Sequence, residues 1–211
     1  MTAIEHGVEK ITKNWDTFKT QAYKGAPGLF EFNVKEKEEQ SIMLAPASTK
    51  LDYVCAYPGG LVEHSLRVLA IMAKLRQAYG NLANKVESSS LVRVALFHDI
   101  GKTGLGSNPY YLDQKSEWHR NKLGQMYEVN SELACWPVAQ LSLMWLATKS
   151  IGLTAEEWYA ISSVKSWNEA QKGIVSEGPN SSEPMLAVML HQAIKIASIE
   201  GHGKLEVSLI S

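Results

Sequence analysis

The sequence predicts an all-α fold, a helical bundle of about seven helices. Apolar residues recur at the helical spacing through most of the chain. Glycine and proline clusters punctuate those stretches, and few segments alternate with the period of two that marks a half-buried strand. The 211 residues, 45% hydrophobic and 20% charged, suit a single domain with a real core and an extension.

Ile4, Val8, Ile11, Trp15 and Phe18 lie at helical spacing between charges, so a helix is expected from residue 2 to about 24, stopped by Gly25-Ala26-Pro27-Gly28. The acid-base run from Glu31 to Gln40 reads as an irregular, solvated loop. Residues 1–43 are therefore set apart as an N-terminal helix and charged loop, ahead of a domain over 44–211. Leu44 to Lys50 leads into that domain. Pro58-Gly59-Gly60 makes a turn, a helix follows over about 61 to 79, and Gly80-Asn81 ends it. Ser88-Ser89-Ser90 offers caps for a helix over roughly 89 to 100. Gly101, Gly104 and Gly106 then release the backbone into a loop as far as about Asp113.

Val138, Leu141, Met144, Trp145 and Ala147 give a helical stripe within 134–150, broken by Gly152. Thr154 with Glu156 and Glu157 is an N-cap and acidic first turn for a helix to about Ser163. Gly178-Pro179 marks a loop, and Pro184 opens a last helix to about Ile199, with Met185, Leu186, Val188 and Met189 as a core stripe. The six tryptophans read as core.

The formal net charge of -1 supplies no basic field, which argues against a long nucleic acid as partner. Cys55 and Cys135 form no CxxC pair and read as reduced core thiols, which points to the cytoplasm. Met1 to His6 does not resemble a signal peptide, and no stretch reaches the apolar length of a membrane span.

Chemistry concentrates at two places. His64 lies at the start of one amphipathic helix, and His98-Asp99 lies at the end of the next. Two imidazoles and a carboxylate meeting between helices can hold a divalent transition ion. Each imidazole must turn a lone pair to the ion, and the carboxyl must be ionised. Such an ion polarises a phosphate oxygen and acidifies its water for attack on phosphorus. Lys102 and Arg67, each about one turn beyond a histidine, are the candidates for neutralising phosphate. Lys115, His119, Arg120 and Lys122, with Tyr110, Tyr111 and Trp118 among them, can grip phosphates and stack a base. Of these, Lys115, Arg120 and Tyr111 are the substrate-binding candidates. A lone helical histidine is ordinarily just a hydrogen-bonded residue. It is the constellation that points to a metal, because burying several ionisable groups costs free energy unless something pairs with them.

The segments APASTKLDY (Ala45 to Tyr53), YPGGLVEHSLRVL (Tyr57 to Leu69) and LFHDIGK (Leu96 to Lys102) resemble the HD-domain metal-dependent phosphohydrolase superfamily, most of all its small phage and bacterial members. NPYYLDQKSEWHR (Asn108 to Arg120), LTAEEWYAI (Leu153 to Ile161) and MLHQAIKIAS (Met189 to Ser198) lend weaker support. The resemblance implies an all-α protein that binds one or two divalent ions (Mn, Co, Ni, Fe, Zn or Mg) and hydrolyses phosphate esters, commonly of nucleotides. By position, His64, His98 and Asp99 match the first three metal ligands.

The chain departs from the pattern at three polar positions. Ile194 stands where the family has a last-helix Asp, Val164 or a neighbour replaces a His, and Val54 follows Tyr53 where similar sequences carry another His. Two expectations follow. One is a hydrolase with a three-ligand site, for which His191 is a candidate stand-in ligand as against a packed helix residue. The other is a catalytically reduced HD fold that binds a nucleotide or a protein partner without turnover. A small phosphorylated substrate is the expected partner, and a homo-oligomer is compatible with either.

Overall fold

The computed structural model describes residues 3–164 and 183–199. Among them are eight α-helices and one small hairpin, which bears out the all-α expectation. In order they are α1 (Ala3–Gly25), α2 (Glu36–Leu44), α3 (Gly60–Tyr79), α4 (Ser88–Phe97), β1 (Tyr111–Asp113), α5 (Glu117–Leu123), β2 (Tyr127–Val129), α6 (Val138–Thr148), α7 (Ala155–Ser162) and α8 (Met185–Ile199). The Gly178-Pro179 loop lies outside the described residues.

Helix α3 is the centre of the bundle and packs against α4 and α8; α1 lies on α4 and α3, and α7 on α8 and α6. Val68 and Met72 of α3 share one core with Val94, Ala95 and Phe97 of α4 and with Leu186, Met189 and Leu190 of α8. Helix α1 adds Trp15 and Phe18 to that core. Phe18 meets Phe97 edge-on at 5.9 Å between ring centroids, and Phe97 stacks on Trp145 at 5.8 Å. Each such buried side chain contributes on the order of 1.5–3 kcal/mol by leaving water.

Two glycines fix where the bundle can close. A Cβ on Gly60 would stand 2.0 Å from the Cys55 carbonyl oxygen, so only glycine lets α3 start directly beneath that loop. A Cβ on Gly101 would stand 2.5 Å from the Val138 carbonyl oxygen and 2.6 Å from Leu141 Cβ. The bare Gly101 N–H instead donates to Ser142 Oγ at 2.9 Å, which docks α6 against the short 3-10 turn Ile100–Thr103.

Several expectations are corrected. Within the charged run, Glu36 to Gln40 belongs to α2, because Ile42 buries into the core and Glu38 accepts from Trp145 Nε1 at 2.8 Å and Lys149 Nζ at 2.6 Å. The segment expected to be loop as far as Asp113 ends in β1, which pairs antiparallel with β2, Leu112 opposite Glu128. The Ser88–Ser90 triplet forms the first turn of α4 instead of capping it, and Glu87 occupies the cap position without a side-chain bond. Helix α4 ends at Phe97, short of residue 100. Helix α6 begins only at Val138, after Pro137. Trp118, Trp136 and Trp158 are exposed rather than core, and Trp167 lies outside the described residues. Cys55 is buried as expected, but Cys135 is exposed.

Helix α7 does begin as read, with a full capping box: Thr154 Oγ1 accepts from the Glu157 N–H, and Glu157 Oε2 accepts from the Thr154 N–H. No described helix is long and apolar enough to cross a membrane.

Candidate metal centre

Helix α3 carries His64 in its second turn, and α4 ends by presenting His98. Asp99 follows with φ -112° and ψ 8°, a break from helical geometry that turns its carboxylate back toward the imidazoles. The three residues each offer a ligand atom within 4.8 Å of the others. The two rings are 5.6 Å apart at a 59° tilt. His98 Nε2 lies 3.6 Å from Asp99 Oδ2.

Both histidines are buried. The Nδ1 of His98 sits 3.0 Å from the Ala95 carbonyl oxygen. A carbonyl can only accept, so the proton is assigned to Nδ1 and Nε2 keeps its lone pair. That Nε2 and His64 Nδ1 are buried without a hydrogen-bond partner among the described residues. A buried polar atom left this way costs about 1–3 kcal/mol. An acceptor nitrogen facing a carboxylate oxygen has no proton to share, and a cation between them would satisfy both. The nitrogen, nitrogen, oxygen donor set, with one imidazole oriented by a backbone carbonyl, fits a divalent first-row ion.

The electrostatics run the same way. Burial pushes His64 down to about 3, and the neighbouring His98 adds to the fall. Burial lowers His98 as well, against the pull of Asp99. Both rings are therefore neutral near pH 7, as ligands must be. Burial alone would raise Asp99, but the Lys102 ammonium, helped by the two imidazoles, holds it well below the usual carboxylate range. Lys102 Nζ touches Asp99 Oδ2 at 2.5 Å, and that carboxylate keeps the lysine charged despite its burial. Burial raises Tyr111 and Tyr110, and both feel Lys102 and Asp99, which places these phenols beside the cluster.

The other sequence candidates stand elsewhere. Arg67 Nη2 is bound to Glu63 Oε1 at 2.6 Å, and Lys10 of α1 holds the second oxygen of that carboxylate at 2.8 Å. Arg67 thus lines the cleft between α1 and α3. Lys115 and Arg120 are exposed beside and on α5, and among the described residues no side-chain hydrogen bond or ion pair joins either to the cluster. His119 Nδ1 is engaged by Ser116 Oγ at 2.9 Å. His191 is buried, with Nε2 3.1 Å from Ser163 Oγ and Nδ1 3.4 Å from Glu183 Oε1, and burial pushes it down to about 4. It is not a member of the three-residue cluster. Ile194 and Val164 are half-buried and pack against the core, where neither has an atom to offer an ion.

The HD domain family matches residues 61–158. Over that stretch the chain is similar to HD domains. The match begins at the start of α3, ends within α7 and spans His64, His98 and Asp99. HD domains are typically metal-dependent hydrolases. No curated protein and no solved structure matches the chain.

Neither Glu63 nor Ser142 is assigned a role from the sequence. Glu63 is buried and gathers two cations, and its spacing of four from Arg67 was the available signal. Ser142, which supports the Gly101 turn, left no such trace because it acts across the fold.

Proposed function

We propose that this HD domain is a phosphohydrolase that uses one divalent ion (Mn, Co, Ni, Fe, Zn or Mg) on a nucleotide or a related small phosphate ester. His64, His98 and Asp99 would hold the ion. The observation that carries this reading is the pair of buried imidazole nitrogens, His64 Nδ1 and His98 Nε2, left without partners beside an ionised carboxylate. When bound, the ion supplies Lewis-acid polarisation of a phosphate oxygen and lowers the pKa of a water.

The chain's own residues do the remainder. Ala95 fixes the His98 tautomer through its carbonyl. Asp99 stays ionised at neutral pH because Lys102 is beside it. Lys102 has further N–H donors and can offer one to a phosphate oxygen. The phenol of Tyr111 stays protonated and can donate to the substrate, and its ring meets Tyr110 edge-on at 5.0 Å to form an aromatic wall. Lys115 and Arg120 would serve as outer phosphate contacts through their long side chains. Arg67, already committed to Glu63, would steady α3 rather than touch substrate. A cytoplasmic setting belongs to the same reading, as does the division into an N-terminal segment (1–43) and an HD-type domain (44–211).

Ile194 favours a second reading, binding without turnover. With an apolar residue in the last helix, the site has one carboxylate, and Lys102 already balances it.

The test is metal analysis of the purified protein, then phosphate release from a nucleotide panel with each ion added. Release that vanishes in His98→Ala and Asp99→Ala supports hydrolysis. Metal uptake with no release across the panel supports the second reading. Ile194→Asp then asks whether a last-helix carboxylate strengthens uptake.

A further inference from the structure

A groove of about 1140 Å³ runs between α1 and α3, floored by α4. None of the three metal-centre residues lines it. Its floor is apolar: Leu66, Leu69, Ala70 and Ala73 from α3, with Leu91 and Val92 from α4. The small alanines leave depth where larger side chains would fill it.

The two ends differ in charge. At one end Glu63 is held by Lys10 at 2.8 Å and by Arg67 at 2.6 Å, so the cations there have a carboxylate. At the other end Lys24, Arg76 and Ser88 lie on the rim. Gly25 is seated against α4 there, where a Cβ would meet the Ser89 carbonyl oxygen at 3.2 Å. Arg76 Nη1 donates to Ser88 Oγ at 2.7 Å, and Lys24 Nζ donates to Gln21 Oε1 at 3.0 Å. Neither cation has a carboxylate partner among the described residues. Glu87, next to Ser88, is not part of the lining, and Lys13 adds a further cation midway along α1.

We propose that this groove binds a single-chain alkyl phosphate as a monomer, its chain along the apolar floor and its phosphate between Lys24 and Arg76. Two unmatched cations at one end suit a dianionic head, and the planar guanidinium suits phosphate oxygens. The trough from Glu63 to Arg76 is about 20 Å long at ~1.5 Å per helical residue, the length of a long acyl chain. It is also narrow. Helices α1 and α3 touch, and the Lys10–Glu63 bridge straps one end, which leaves less room than the ~10–12 Å diameter of a helix with its side chains. A thin chain therefore fits better than an acidic helix from a partner protein.

The full chain is titrated calorimetrically with hexadecyl phosphate below its micelle-forming concentration. Inorganic phosphate, hexadecanoate and an acidic amphipathic helical peptide are the comparison probes. Hexadecyl phosphate is expected to bind saturably and tightest of the four. The Lys24→Gln/Arg76→Gln double variant should weaken it by about tenfold or more. Ala73→Trp should block the chain while the protein keeps its helical circular dichroism, and Asp99→Ala should leave binding unchanged. Affinity no better than that of inorganic phosphate, or unchanged in the double variant, would overturn the proposal. Equal affinity for hexadecanoate would overturn the phosphate head, and tighter binding of the peptide would replace the lipid with a protein partner. Loss of binding in Asp99→Ala would move the ligand to the metal centre.

Discussion

Arg93 and the buried Glu157 form one polar cluster in this bundle; the buried His64 and His98 form another with Asp99. In the first, Arg93 Nη1 reaches both Glu157 oxygens at 2.6 and 2.7 Å, and its Nε donates to the Gly25 carbonyl at 2.9 Å. The Thr154 N–H occupies Glu157 as well. The ends of α1 and α7 are thereby pinned to α4. In the second, two ring nitrogens have no hydrogen-bond partner among the described residues, although both rings are more deeply buried than Arg93. A polar group buried for the fold arrives with its hydrogen bonds made. One buried for a ligand leaves them unmade and lowers stability until the ligand comes.

Breaking the satisfied cluster should have the largest effect. Glu157→Ala leaves the half-buried Arg93 guanidinium without its carboxylate and opens the α7 capping box, so a loss of about 3 kcal/mol is expected in urea unfolding. Filling the unsatisfied cluster comes next. A divalent ion at ~100 times its Kd should stabilise the chain by about 2.7 kcal/mol, read as a rise in Tm, and His98→Ala should abolish the rise.

Acid separates the two regions further. In the folded metal-free chain His64 titrates at about 3, against an ordinary 6.5. The unfolded chain therefore takes up the proton first as pH falls. The stability that comes from keeping this ring neutral is whole above about 6.5 and drains away toward 3. His191, held at about 4, adds to the same slope. Urea midpoints at pH 7 and pH 5 measure the loss, and a flat profile in this window would contradict the burial of these rings.

The smallest effect sharpens the contrast most. His64→Leu removes an unpaired acceptor, so the metal-free variant should match or exceed the parent by up to about 1 kcal/mol. A loss as large as that of Glu157→Ala would mean that His64 is structural after all.

The bundle was legible where local signals and tertiary packing agree. Pro58-Gly59-Gly60 and Gly80 bracket α3 in sequence and in space, and Thr154 with Glu157 announces α7. Helix α2 was hidden because its alternating charges carry no apolar stripe, and Glu38 finds Trp145 and Lys149 more than a hundred residues away. The hairpin was hidden because strands of three residues are too short to show a period. At the site, His64, His98 and Asp99 converge as their placement on two helices suggested, and the Asp99–Lys102 pair follows from a spacing of three. The Arg67–Glu63 pair was open to reading from a spacing of four, whereas Lys10, which holds the other oxygen of Glu63, depends on where α1 lies.

The central claim is that the three side chains hold a divalent ion, and calorimetric titration of the metal-stripped chain with Mn²⁺ tests it most directly. Saturable uptake that disappears in Asp99→Ala is the predicted result. Absence of uptake in the parent chain, or uptake that survives the substitution, would contradict it.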